Sequence, residues 1–107
     1  MNTDELRHFV LERLDEDELR LAEEKLPLLD EAEGKGRLRI IRSDDGSGLL
    51  LLPGPMQATQ EPVPFPEKFP LLRTEVEQTR DEALLRLLAA AYDTHHGWQE
   101  EWRNPGA

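Results

Sequence analysis

The sequence predicts a mostly helical α+β fold: two long antiparallel helices, a small β-hairpin and a proline-rich connector. Three observations carry this reading. Apolar residues recur at three- and four-residue spacing over residues 3–26 and again over 71–92. Between them, two short apolar runs flank Ser43-Asp44-Asp45-Gly46-Ser47-Gly48, a turn by composition. From Pro53 to Pro70 the chain holds six prolines in eighteen residues. At 107 residues the chain is long enough for a single small domain. Only 37% of the residues are hydrophobic, against the usual ~45–50%, so the core is expected to be small and leucine-rich.

The first helix is expected over residues 3–26. Asn2 with Glu5 approximates a capping box, and Asp4 and Glu5 suit the positive end of the helix dipole. Leu6, Phe9, Val10, Leu14 and Leu21 share about a third of the helical wheel, with Leu11 and Ala22 flanking them. Pro27 disfavours helix at the residue before it. Asp17 falls near the centre of the apolar stripe, within reach of Arg13 and Arg20. It reads first as a carboxylate paired with arginine at the edge of the core. A buried acid in a site and a plain solvated residue are the alternatives. Leu19 lies off the stripe, as an exposed leucine or a partner contact.

The hairpin is expected over residues 37–52, with a strand at 37–42 and the return at 49–52. Two short strands are marginal alone and must pack on helices. Residues 53–70 should then form an extended, polyproline-like connector with Phe65 and Phe69 tucked into the domain; a docking peptide for a proline-reading module is the alternative. The second helix is expected over residues 71–92, with Leu72, Val76, Ala83, Leu84, Leu87, Leu88 and Ala91 at helical spacing. Residues 84–91 are apolar almost all round, except Arg86. Such a segment is buried on several sides or lies in an oligomer interface. Thr94 is placed to cap a short last helix carrying Trp98 and Trp102 at i, i+4. That pair is either a clamp closing the core or a binding hot spot. The residues 71–103 thus make up a helical C-terminal part.

Charge narrows the partners. The net charge is −10, and twelve of the 23 acidic residues fall in the first 33 positions against Arg7, Arg13, Arg20 and Lys25. A nucleic-acid binder needs a basic face to displace phosphate counterions. The one basic cluster, Lys35, Arg37, Arg39 and Arg42, sits beside Asp44 and Asp45. Direct nucleic-acid binding and anionic membranes are therefore disfavoured, and a protein with a basic surface is the natural complement. The absence of cysteine excludes disulfides and thiol catalysis. No secretory leader opens the sequence, and no apolar run approaches the ~20 residues of a membrane span, so a cytoplasmic location is expected.

Catalytic signals are weak. Asp93, His95, His96 and Glu100 are the one concentration of metal-capable side chains, but no H-E-x-x-H or His-x-His spacing occurs. His8 stands alone. Ser43 and Ser47 lie in a turn without the G-x-S-x-G context. No catalytic, metal or cofactor residue is assigned, and no cofactor is expected.

Residues 6–22, LRHFVLERLDEDELRLA, and residues 84–103, LLRLLAAAYDTHHGWQEEWR, resemble the two ends of an uncharacterised family, domain of unknown function six-two-two-one, found in actinobacteria and their phages. Leu72 to Glu77 is similar to that family's central helix with one residue inserted. The likeness at the ends covers roughly 40 of the 107 residues. The middle departs, because the family's Pro-Gly-Pro-Trp segment is lacking after the first helix. The resemblance implies an actinobacterial or phage origin and a helix-rich fold. It implies no activity.

The functional expectation is a non-enzymatic interaction module that engages a basic protein surface, with Glu12, Asp15, Glu16, Glu18, Leu19, Trp98 and Trp102 as partner-binding residues. A nucleic-acid mimic is one variant. The alternatives are an assembly subunit, for example of a phage particle, self-associating through residues 84–91, and a small metal-dependent enzyme using His95 and His96.

Overall fold

The chain runs α1 (Thr3–Ala22), α2 (Leu28–Gly34), β1 (Leu38–Arg42), β2 (Leu49–Pro53), α3 (Phe65–Gln78) and α4 (Glu82–Ala90), closing with a 3-10 turn at Glu100–Trp102. This computed structural model describes residues 3–46, 48–61 and 63–103, Phe65 by its backbone alone. The fold is α+β and mostly helical, with one antiparallel hairpin, as the sequence predicts.

Helix α1 turns Leu6, Val10 and Leu14 fully inward, with Phe9 beside them. A fully buried leucine contributes roughly 1.5–3 kcal/mol, so this stripe fixes which side of α1 faces the core. The helix stops at Ala22, before residue 26 and without the help of Pro27. Glu24 takes a left-handed conformation at φ 63°. The Glu24 amide donates to the Leu21 carbonyl at 3.0 Å and the Lys25 amide to the Arg20 carbonyl at 2.8 Å. This is a Schellman ending built without glycine.

Pro27 instead opens α2, a helix that the apolar periodicity did not reveal. It stands at the N-cap and offers no side-chain acceptor. Asp17 of α1 supplies one: its two carboxylate oxygens accept the amides of Leu28 and Leu29, each at 3.0 Å. Two of the orphan donors at the start of α2 are thereby satisfied from another helix. At the far end, Gly36 at φ +74° donates to the Glu33 carbonyl at 3.1 Å, and the Arg37 amide reaches the Ala32 carbonyl at 2.9 Å. A Cβ on Gly36 would stand 3.3 Å from the Pro55 side chain, so both conformation and space favour glycine there.

Strands β1 and β2 pair in the register Leu38↔Pro53 to Arg42↔Leu49. Leu38, Ile40 and Leu49 are buried, while Leu50 on the other face is 42% exposed. After β2 the connector is shorter than residues 53–70, because α3 begins at Phe65. Pro64 sits at its N-cap and Pro66 in its first turn, where a missing amide costs nothing. Pro70 lies inside the helix and removes one internal bond. Burial of Phe69, Leu72 and Val76 outweighs that loss. Phe69 is buried as expected, Val63 is buried as well, and the side chain of Phe65 lies outside the described residues.

The second helical stretch is divided rather than continuous over 71–92. Helix α3 ends at Gln78, and Asp81 opens α4 by accepting the Ala83 amide at 3.0 Å. The Thr79 hydroxyl accepts the Asp81 amide at 3.0 Å. From α1, the Arg7 guanidinium donates to the carbonyls of Val76 and Thr79 at 2.9 and 2.5 Å. The break is thus capped on both sides. Leu85, Leu88 and Ala89 are fully buried, while Leu84 and Leu87 are partly so. Residues 84–91 therefore owe most of their apolar character to burial within the chain.

Candidate functional site

The acidic side of α1 carries four of the expected partner-binding residues. The side chains of Glu12, Asp15, Glu16 and Glu18 are 52%, 65%, 54% and 48% exposed. They are not free. Arg13 of the same helix reaches Glu16 at 2.9 Å and Glu12 at 3.3 Å. Arg73 of α3 reaches Asp15 at 2.9 Å and Glu18 at 3.3 Å. His8 also stands 2.8 Å from Glu12. Burial works against the Arg73 charge, but Asp15 and Glu18 outweigh it and hold the guanidinium pKa above its ordinary value. Four carboxylates thus share two guanidiniums, which leaves a surplus of two negative charges on this face. Leu19, at 65% exposure, borders it as an apolar neighbour.

Arg13 does not pair with Asp17, contrary to one of the two partners expected for that carboxylate. Its guanidinium lies 5.0 Å from the centre of the Phe9 ring and turns to Glu12, Glu16 and His95 instead. Asp17 is 1% exposed and works inside the protein. Besides the two α2 amides, it accepts the Tyr92 hydroxyl at 2.8 Å, and Arg20 approaches at 3.6 Å. Burial, followed by the Asp17 charge, pushes the Tyr92 hydroxyl pKa well above its ordinary value. The arginine pairing expected of Asp17 is present only in Arg20. The main partners are backbone amides and a tyrosine, which sequence spacing does not reveal because they lie eleven to 75 residues away.

The two tryptophans do not share a face. Trp98 and Trp102 are separated by extended backbone at Gln99, so i, i+4 spacing carries no helical meaning here. Trp102 is 3% exposed and packs on Phe9 with ring centres 4.9 Å apart. It closes the core over α1 and is not available as a surface hot spot. Trp98 is half-buried on the other side, under the Arg103 guanidinium at 4.7 Å.

Beside Trp102, His95 meets Phe9 edge-on at 5.7 Å and stacks on His96 at 4.3 Å. Its Nδ1 accepts the Gly97 amide at 2.9 Å, and Arg13 lies 2.7 Å from its Nε2. Arginine has no lone pair to offer, so this setting suits a neutral ring. Burial first, then Arg13 and His96, lower the His95 pKa, with Glu16 and Glu12 pulling the other way. Among the described residues no group of three or more His, Asp or Glu side chains is placed to hold a metal ion. His95 and His96 face each other and an arginine instead.

A second buried charge pair joins α2 to α3. Lys68, 1% exposed, donates to Glu33 at 2.7 Å. Burial raises the Glu33 pKa and the lysine partly offsets that rise. Among the described residues no helix is long and apolar enough to cross a membrane. No family model matches the chain, and neither a curated protein nor a solved structure does.

Proposed function

We propose that this protein is a non-enzymatic interaction module whose acidic α1 face docks on a basic surface of another protein. The supporting observation is the two-to-one ratio on that face: Glu12, Asp15, Glu16 and Glu18 share Arg13 and Arg73. Exposed ion pairs contribute about 0–1 kcal/mol. A partner's lysine or arginine can therefore take up a carboxylate from Arg73 at small cost, while the surplus charge steers the encounter. Leu19 offers an apolar contact at the edge of this patch. The run from Glu12 to Glu18 rises about 9 Å, the axial length of roughly three base pairs. That footprint is short for a nucleic-acid mimic, so the plain protein-docking form of the reading is the better supported. The cytoplasmic, actinobacterial or phage setting implied by the sequence belongs to this proposal.

Self-association through residues 84–91 has less to work with, since Leu85, Leu88 and Ala89 are buried within the chain. The test is capture from actinobacterial lysate with the wild-type chain and with Glu12→Gln/Asp15→Asn/Glu16→Gln/Glu18→Gln. Proteins held at low salt should be lost both on raising the salt and in the quadruple variant. Retention of the same proteins by that variant would overturn the reading.

A further inference from the structure

Between β2 and α4 lies a groove of about 560 Å³ that none of Glu12, Asp15, Glu16 and Glu18 lines. Its apolar wall is made by Leu49 and Leu51 from the hairpin, Leu84 and Leu87 from α4, and Trp98. The volume lies in the ~300–1,000 Å³ range of small-molecule sites, which combine apolar walls with a few converging polar groups.

Asp81 and Arg86 also line the groove, and Arg37, Asp93 and Arg103 meet near Trp98. Arg37 and Arg103 both approach the same oxygen, Oδ2 of Asp93, at 2.9 and 4.0 Å. Two guanidiniums thus flank one carboxylate, and Arg37 also donates to the Ala90 carbonyl. Arg103 also pairs with Glu100, whose side chain is 80% exposed, an arrangement that is readily exchanged. The Trp98 indole nitrogen, like that of Trp102, is buried and has no hydrogen-bond partner among the described residues. A buried indole N–H ordinarily finds an acceptor. The Arg103 guanidinium lies over that same indole, so cationic and neutral donors stand in one corner. Arg37 and Arg103 balance Asp93 and Glu100 as they stand, and the corner gains a positive charge when Arg103 exchanges the exposed Glu100 for an incoming anion.

We propose that the groove binds a medium-chain carboxylate, its head taken by Arg37, Arg103 and the Trp98 indole N–H and its chain laid against Leu84 and Leu87. An ionised carboxylate offers only acceptors, which matches the donors that stand beside Asp93, and the guanidinium fork suits it in shape as well as charge. This site is separate from the acidic face and does not depend on the docking reading.

The test is titration with decanoate below its micellar range, followed by proton–nitrogen and methyl NMR, with 1-decanol as the uncharged control. Saturable one-to-one binding is expected, with shifts at the Trp98 indole and the Leu84 and Leu87 methyls. Decanol should bind at least tenfold more weakly. Arg37→Gln/Arg103→Gln, altering two exposed side chains, should weaken decanoate about tenfold and leave decanol unchanged. The quadruple acidic variant of α1 should bind decanoate normally, which separates this proposal from the docking one. Failure to saturate, equal binding of decanol, or shifts centred on Phe9 and Trp102 would overturn it.

Discussion

The Asp17 carboxylate accepts the Tyr92 hydroxyl at 2.8 Å while its two oxygens hold the first amides of α2. One side chain in the middle of the α1 apolar stripe therefore ties together α1, the start of α2 and the turn that follows α4. A buried charge costs several kcal/mol unless its hydrogen-bonding capacity is filled. Here three donors converge on two oxygens, with Arg20 alongside. The arrangement explains why an acid sits where a leucine is expected.

Asp17→Asn places an amide NH₂ against the backbone amide of Leu28 or of Leu29, which can only donate. It should cost about 3 kcal/mol in urea unfolding. Tyr92→Phe should cost about 1–2 kcal/mol, because the two α2 amides remain bound. The double variant should cost less than the sum, since both changes remove one shared bond. Strict additivity would mean that the Tyr92 hydroxyl and Asp17 act independently.

Tyr92 also sets the alkaline limit. Its hydroxyl pKa is raised above the ordinary 10.0. Above that pH the unfolded chain loses the proton while the folded one keeps it, so stability falls as pH rises. Unfolding measured on either side of pH 10 should show this slope in the wild type, and Tyr92→Phe should remove it.

His95 acts at the acid side. Its pKa is lowered from the ordinary 6.5. In the window below that value the unfolded chain binds the proton and the folded one does not. Stability is therefore full above pH 6.5 and declines as pH falls through the window. Urea titrations at about pH 7.5 and about pH 5 check this. His95→Gln should flatten the difference, with Trp102 fluorescence reporting on the neighbouring clamp.

Glu24 holds a left-handed conformation that costs a non-glycine residue about 1–2 kcal/mol. Glu24→Gly keeps the Schellman bonds and removes that cost, offset in part by the entropy of glycine in the unfolded chain. A net gain of about 0.5–1 kcal/mol is expected in thermal unfolding. A loss would mean that the Glu24 side chain itself holds the α1 ending.

The Lys68–Glu33 pair is expected to behave asymmetrically. Glu33→Gln removes the carboxylate that the buried Lys68 ammonium faces and should cost about 3–5 kcal/mol. Glu33→Leu combined with Lys68→Met removes both charges and should recover most of that loss. Equal destabilisation by the single and double variants would show that Glu33 contributes chiefly by packing.

Much of the fold was legible because hydrophobic spacing is local. Leu6, Phe9, Val10 and Leu14 mark the buried side of α1, and the Ser43–Gly48 turn chemistry locates the hairpin. What spacing missed were interruptions made by distant partners. Helix α2 is capped by Asp17, and the α3–α4 break is held by Arg7 and Asp81; of these, only Asp81 leaves a local N-cap signal. The start of α3 at Phe65 was hidden because prolines that break a helix interior are well suited to its first turn. The acidic face was visible in composition, but its sharing of Arg73 was not, since that arginine comes from 55 residues or more along the chain. Trp102 was misplaced on a shared face with Trp98 because the segment between them is not helical.

The docking claim is tested most directly by adding a decalysine peptide and following the backbone amides by NMR. The account predicts salt-sensitive shifts centred on residues 12–19 and on Arg73, where exposed carboxylates outnumber guanidiniums two to one. Shifts spread evenly over other exposed acids such as Glu23, Glu61 and Glu77 would show no preferred face and would contradict it.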